Sequence, residues 1–286
     1  MGRTLDVAVI QMRSSGDPQR NIESLEQAIG DAAAKGAQYI QTPEMTGAVQ
    51  RDRAKLRAVL RGQDDDEVAA MGARLAARHG IHLHIGSTAI ARDDGKIANR
   101  AFLFAPDGSL VTTYDKIHMF DVDLDNGESW RESAVYEPGT QSVVADIGAA
   151  RLGLSICYDV RFPNLYRDMA LAGAEIIAVP AAFTRQTGEA HWHTLLKARA
   201  IENGAFVIAA AQGGTHEDGR ETYGHSLVAD PWGRIIAEAN HDEPATIHCS
   251  IDLDEVAAAR AKIPNLKNAR DYTVRKAASR AGDAAA

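Results

Sequence analysis

Short apolar runs alternate with helix-patterned stretches along nearly the whole of this 286-residue chain, and that alternation admits few folds. Residues 5–12, centred on Val7-Ala8-Val9-Ile10, read as a buried strand. Asp17-Pro18 supplies the cap and first-turn proline of a helix. Its Ile22, Leu25, Ile29 and Ala32 recur at helical spacing until Gly36 ends it. Residues 37–41 form a short strand that runs into Thr42-Pro43-Glu44. A second helix, 67–78, is entered through Asp64-Asp65-Asp66, whose charges suit the positive end of a helix dipole. Further strands are expected at 81–88, 101–104, 110–113, 142–146, 152–156, 175–179, 206–211, 226–229, 234–237 and 245–251, with helices at 165–172 and 189–202.

Some of these strands are separated by helices and others by tight turns, such as Pro106-Asp107-Gly108. The mixture predicts an α/β fold of mixed sheets covered by helices rather than a purely parallel sheet. No break in composition marks a linker, so residues 1–275 read as a single domain, with the small and polar stretch 276–286 as a frayed tail. Residues 119–140 form a long polar segment holding Asp121, Asp123, Asp125, Glu128 and Glu132. A loop of that length in a compact domain is commonly functional or disordered. The chain has no internal repeat and no G-x-G-x-x-G or Walker phosphate loop.

Charge and cysteine content narrow the function classes. A net charge of -8 opposes general nucleic-acid binding, which needs a basic surface. No stretch is long and apolar enough to span a bilayer. The opening Met1-Gly2-Arg3-Thr4-Leu5-Asp6 lacks the charged-then-apolar order of an export signal. Cys157 and Cys249 are the only cysteines, which implies no disulfide framework and suits a reducing cytoplasm.

Three reactive residue types each stand just beyond a predicted strand: Glu44 after 37–41, Lys116 after 110–113, and Cys157 after 152–156. Ligand sites in α/β architectures collect at carboxyl ends of strands. A thiol attacks a carbonyl as thiolate, and a neighbouring base or cation supplies the activation. Glu44 can take the proton, Lys116 can hold the developing oxyanion, and the backbone N–H of Tyr158 can serve as a second oxyanion donor. Glu132 can orient Lys116 and keep it charged. Taken singly, each has a plainer reading: Cys157 as a small buried hydrophobe, Glu44 and Lys116 as solvated surface charges. Arg161 follows the cysteine by four residues and could take a substrate carboxylate in its fork, or pair structurally with Asp159. His82-Leu83-His84 would put two imidazoles on one strand face, whereas His191-Trp192-His193 would diverge on a helix. With no cysteine or carboxylate cluster beside either pair, no metal site is expected.

The segments that carry these residues resemble the signatures of the nitrilase superfamily, the carbon–nitrogen hydrolases. They are Pro43-Glu44, Tyr114-Asp115-Lys116-Ile117-His118-Met119-Phe120, and Ile156-Cys157-Tyr158-Asp159-Val160-Arg161-Phe162-Pro163, in the family's order. Glu132-Ser133-Ala134-Val135-Tyr136-Glu137-Pro138-Gly139 resembles the stretch that holds the family's supporting glutamate. The resemblance implies a four-layer α-β-β-α sandwich, assembled as a homodimer or higher homo-oligomer. It implies Glu44 as general base, Lys116 as transition-state stabiliser, Cys157 as nucleophile and Glu132 as supporting acid. It also implies a small-molecule amide substrate, a thioester intermediate, and no cofactor or metal.

Ala181-Ala182-Phe183-Thr184, Thr187-Gly188-Glu189-Ala190-His191-Trp192 and the run from Tyr223 to Gly233 are similar to the Nit branch, with its deaminated-glutathione amidases and ω-amidases. Thr184 thereby joins Arg161 as a substrate-binding candidate. Asn164, where many relatives carry glutamate, and Gln41-Thr42, where an apolar residue is commoner, depart from the pattern. The expected activity is hydrolysis of deaminated glutathione to α-ketoglutarate and cysteinylglycine. The alternatives are ω-amidase action on α-ketoglutaramate, nitrile or N-carbamoyl hydrolysis, or a redox or interaction protein without turnover.

Overall fold

The computed structural model describes residues 2–124, 127 and 129–276. The chain opens with β1 (Thr4–Gln11), α1 (Pro18–Ala34), β2 (Tyr39–Gln41), α2 (Arg53–Val59), α3 (Glu67–His79), β3 (His82–Ala91), β4 (Ile97–Phe104) and β5 (Leu110–Asp115). A short hairpin, β6 (Asp121–Asp123) and β7 (Ser129–Arg131), leads to β8 (Val143–Asp146), β9 (Arg151–Leu154), α4 (Pro163–Leu171), β10 (Ile176–Ala178), α5 (Arg185–Asn203) and β11 (Phe206–Ala209). There follow β12 (Gly213–Thr215), β13 (Glu221–Tyr223), β14 (Leu227–Ala229), β15 (Ile235–Glu238), β16 (Ala245–Asp252) and α6 (Asp254–Lys262). One six-stranded sheet runs β16-β1-β2-β3-β4-β5, and a second runs β15-β14-β11-β10-β9-β8.

Side-chain alternation sorts the first sheet into two faces. Leu5, Val7, Val9, Tyr39, Ala101 and Leu103 point inward and pack with Leu152, Leu154 and Ile176 of the second sheet. Ala8, Ile10, Ile40, Phe102 and Phe104 point outward, against Ile22, Leu25 and Ile29 of α1 and Met71 and Leu75 of α3. On the second sheet, Tyr166 and Met169 of α4 and Trp192 and Leu196 of α5 close the opposite side. The result is the expected α-β-β-α sandwich. Among the described residues, no helix is long and apolar enough to cross a membrane.

Several elements differ from the sequence reading. The segment 119–140 is not an open loop throughout. Val122 pairs with Trp130 across β6 and β7, and Glu132–Ala134 forms a 3₁₀ turn. Asp125 and Glu128 lie outside the described residues, as does the expected frayed tail beyond Lys276. The helix expected at 189–202 begins earlier, at Arg185, because Thr184 caps it. Helices α2 and α6 went unpredicted: α2 buries only Leu56, and α6 only Val256 and Ala259, too little to print a helical stripe. The β12–β13 hairpin was missed as well.

Candidate active site

Glu44 stands on a turn that leaves β2 and docks on β3. Gly86 N–H donates to Thr42 Oγ1 (3.0 Å), Ser87 N–H to Pro43 O (3.2 Å), and Thr46 N–H to Ser87 O (2.8 Å). The approach is so close that a Cβ on Gly86 would stand 2.1 Å from Thr42 O. Glycine is therefore required at this bulged point of β3. Met45 follows with φ of 55°, and Ser87 Oγ accepts its N–H at 3.0 Å.

Cys157 lies beyond β9, as the first residue of a 3₁₀ turn, Cys157–Arg161. Its φ of 50° is in the left-handed region, which a non-glycine residue occupies only under constraint. Its N–H donates to Pro180 O at 2.8 Å. Asp159, fully buried, organises the turn. Its Oδ2 accepts from Ile156 N–H (2.9 Å) and the Tyr114 hydroxyl (2.7 Å). Its Oδ1 accepts from His118 N–H (3.0 Å) and lies 2.7 Å from His118 Nδ1. The possible Arg161–Asp159 pair does not form. Arg161 Nη1 instead lies 3.3 Å from His191 Nδ1, with the guanidinium over the rings of Tyr158 and Phe183. The N–H of Tyr158 sits in the first turn, where backbone donors have no intrahelical acceptor.

Lys116 follows β5, and its Nζ is the centre of the cluster. It donates to Glu44 Oε1 at 2.9 Å and to both oxygens of Glu132 at 3.0 and 2.8 Å. Glu132 is held in turn by Phe120 N–H (2.7 Å). Asn99 on β4, unmarked by any motif, joins the two acids. Its Nδ2 donates to Glu44 Oε1 (2.9 Å) and Glu132 Oε1 (3.2 Å). Ala182 N–H donates to the second oxygen of Glu44 at 2.9 Å.

Glu44, Lys116 and Cys157 are 4%, 2% and 7% exposed, so their charges interact with little screening. Burial pushes the Glu44 carboxyl up, but Lys116 and hydrogen bonds from Cys157, Lys116 and Asn99 outweigh it and hold the carboxyl below its ordinary value. Burial pulls the Lys116 ammonium down, and Glu132 and Glu44 more than restore it, well above its ordinary value. Burial and the neighbouring Glu44 push the Cys157 thiol well up, against the pull of Lys116. The resting set is thus a carboxylate, an ammonium and a protonated thiol donating to the carboxylate. It is poised for proton transfer rather than holding a preformed thiolate.

The cluster opens onto a cavity of about 710 Å³. Its described lining carries Arg51, Arg53, Lys116, Arg131, Arg161 and Arg220 against Glu44 and Glu132, in a chain whose net charge is -8. Thr184 also lines it, although its hydroxyl is engaged at the α5 cap with Thr187. None of His82, His84, His191 and His193 belongs to the cavity's described lining, although His191 abuts Arg161. His84 is buried, with Nδ1 2.9 Å from the Tyr39 hydroxyl, and His193 Nε2 lies 2.6 Å from Glu238. Among the described residues, no three potential metal ligands converge.

A sandwich of this kind with a buried carboxylate, ammonium and thiol on one cavity defines a carbon–nitrogen hydrolase. The chain belongs to that family, whose model, described as carbon-nitrogen hydrolase, matches residues 6–261. Among its relatives, the deaminated glutathione amidase of Yersinia enterocolitica is 39% identical over 94% of both chains. The crystal structure of the Caenorhabditis elegans NitFhit protein superposes with a TM-score of 0.86 at 33% identity, covering 99% of this chain and 69% of that one. The structure of an amidase mutant from Nesterenkonia sp. AN1, showing the result of Michael addition of acrylamide at its active-site cysteine, has a TM-score of 0.76 at 27% identity. It covers 91% of this chain and 98% of its own.

Proposed function

We propose that the protein hydrolyses deaminated glutathione through a thioester on Cys157, releasing cysteinylglycine and then α-ketoglutarate. The observation that carries this reading is the buried Glu44–Lys116–Cys157 cluster opening onto a cavity whose described lining is basic, in an acidic chain. The name of the Yersinia relative points to the same substrate.

Glu44 takes the thiol proton as Cys157 Sγ attacks the amide carbonyl. Lys116 Nζ and the Tyr158 N–H hold the tetrahedral oxyanion. Collapse breaks the C–N bond, and the departing amine takes the proton from Glu44. Water then attacks the thioester, giving its proton to Glu44, and α-ketoglutarate leaves as Cys157 recovers that proton. Glu132 holds Lys116 charged and aimed throughout. Arg161 is half-buried, with no carboxylate partner among the described residues, and burial holds its guanidinium below its ordinary pKa. It would receive the carboxylate beside the keto group, with Thr184 on the same wall. Residues 1–275 act as one catalytic unit, in the cytoplasm, as a homodimer or larger homo-oligomer.

The test is a comparison of specificity constants for deaminated glutathione, α-ketoglutaramate, neutral amides, nitriles and N-carbamoyl compounds. The two keto-acid amides should lead, and Arg161→Ala should flatten that lead chiefly through KM. Equal rates on charged and neutral amides would remove this substrate and this role for Arg161.

A further inference from the structure

Arg220 is a second guanidinium on the cavity wall that the proposed chemistry leaves unused. It stands at the end of the β12–β13 turn, whose backbone is fixed by His216 N–H donating to Arg220 O (2.8 Å) and Arg220 N–H donating to Asp218 Oδ1 (2.9 Å). Asp218 thus engages the backbone of Arg220, and no described carboxylate forms an ion pair with the guanidinium. Its Nε is buried and has no hydrogen-bond partner among the described groups. The guanidinium carbon lies 4.5 Å from the centroid of the Trp130 ring on β7. A cation held against an aromatic face keeps its planar N–H edge for an oxyanion. Arg161 approaches the cavity from the turn after Cys157, next to α5, whereas Arg220 comes from the β12–β13 and β7 side. Arg220 lines the same cavity as Tyr136, Glu132, Lys116 and Glu44. A cavity of about 710 Å³ has room for a tripeptide-sized ligand, far more than a five-carbon keto-acid amide fills.

We infer that Arg220, backed by Trp130, binds a second carboxylate at the far end of the substrate, on the leaving amine rather than on the keto acid. This rests on the anionic-amide reading above and narrows it to substrates with a carboxylate at each end. A buried donor without a partner favours a ligand that supplies one and disfavours a neutral isostere.

The experiment compares three compounds: deaminated glutathione, its C-terminal glycinamide, and α-ketoglutaramate, whose leaving group is ammonia. Wild type should prefer the free acid over the glycinamide. Arg220→Ala should lower kcat/KM for the free acid roughly 10- to 100-fold, the range for losing a charge-assisted pair, and act mainly on KM. The same variant should leave the glycinamide and α-ketoglutaramate nearly unchanged. Arg220→Lys, which keeps the charge but not the fork, should restore only part of the preference. An equal loss on all three compounds, or no preference for the free acid in wild type, would overturn the assignment while leaving the amidase reading in place. A wild type inert toward all three would instead overturn the anionic keto-acid amide reading, and the assignment with it.

Discussion

Cys157 keeps a backbone conformation that costs a non-glycine residue on the order of 1–3 kcal/mol, and it persists because the bonds around Asp159 over-determine the turn. Asp159→Asn retains the shape but replaces one acceptor oxygen with donors facing Tyr114 or His118. It should destabilise the fold by roughly 2 kcal/mol, read by chemical denaturation, and lower kcat by misplacing the thiol. Lys116 poses a different demand, because its compact ammonium sits between two carboxylates. Lys116→Arg should therefore lose at least about 100-fold in kcat, nearly as much as Lys116→Ala, since a forked guanidinium cannot occupy that point. A near-normal rate for a folded Lys116→Arg enzyme would show that charge alone suffices. Glu44 is held below its ordinary pKa, so the acid limb of kcat/KM should fall below the usual glutamate range. Asn99→Ala removes one of the bonds that hold it there and should move that limb upward; an unmoved limb would make Asn99 merely structural. Glu44, Lys116, Cys157 and Glu132 were legible in the sequence because each sits in a recognisable segment, and the fold brings them onto one cavity. Asn99 and Arg220 carried no such mark, and Asp159, though inside the cysteine segment, was legible only as a possible partner of Arg161 and not as the anchor of the turn. They reach the site through strand pairing and turn geometry, which the sequence does not display locally.

The strands were readable because each six-stranded sheet is buried on both faces or alternates cleanly, as β1 does between Val7 and Ala8. The missed elements bury little or are short, and β6–β7 is disguised by its charges. Arg199 shows what periodicity alone could not. It follows the apolar face of α5, yet its buried Nε donates to Val160 O at 2.8 Å and ties that helix to the Cys157 turn. At the start of α3, Asp66 is 7% exposed and caps the helix by accepting Ala69 N–H at 2.8 Å. Burial nevertheless raises its carboxyl to about 6, against the capping bonds that lower it. The folded state therefore holds this proton more tightly than the unfolded chain. Its contribution to stability is fully present below the ordinary aspartate range and is lost as pH rises through about 6. The penalty at neutral pH is on the order of 3 kcal/mol. Asp66→Asn keeps the capping oxygen and removes the charge, so its melting temperature should exceed that of wild type at pH ~7.5 and converge with it near pH ~4. Parallel pH profiles for the two proteins would remove Asp66 from this role.

Across the whole molecule, the two sheets form one platform on whose edge turns from β2, β5 and β9 meet, although they are distant in sequence. The same assembly gathers arginines in the described lining of a cavity while the chain as a whole is acidic, a local field that suits the anionic substrate proposed above better than the net charge does. Ile201 on α5 and Trp232 on the β14–β15 turn remain about half exposed, at 53% and 50%, in keeping with the proposed self-association. Light scattering at micromolar concentration should give a dimer mass or a multiple of it, and a monomer mass would contradict the assembly. The proposed reaction places the acyl group on Cys157. Its most direct measurement is mass spectrometry of peptides from enzyme acid-quenched during turnover of deaminated glutathione. The Cys157 peptide should carry an α-ketoglutaryl thioester and the Cys249 peptide none, and Cys157→Ala should not turn over. An unmodified Cys157 peptide together with a Cys157→Ala variant that retains substantial activity would contradict this reaction.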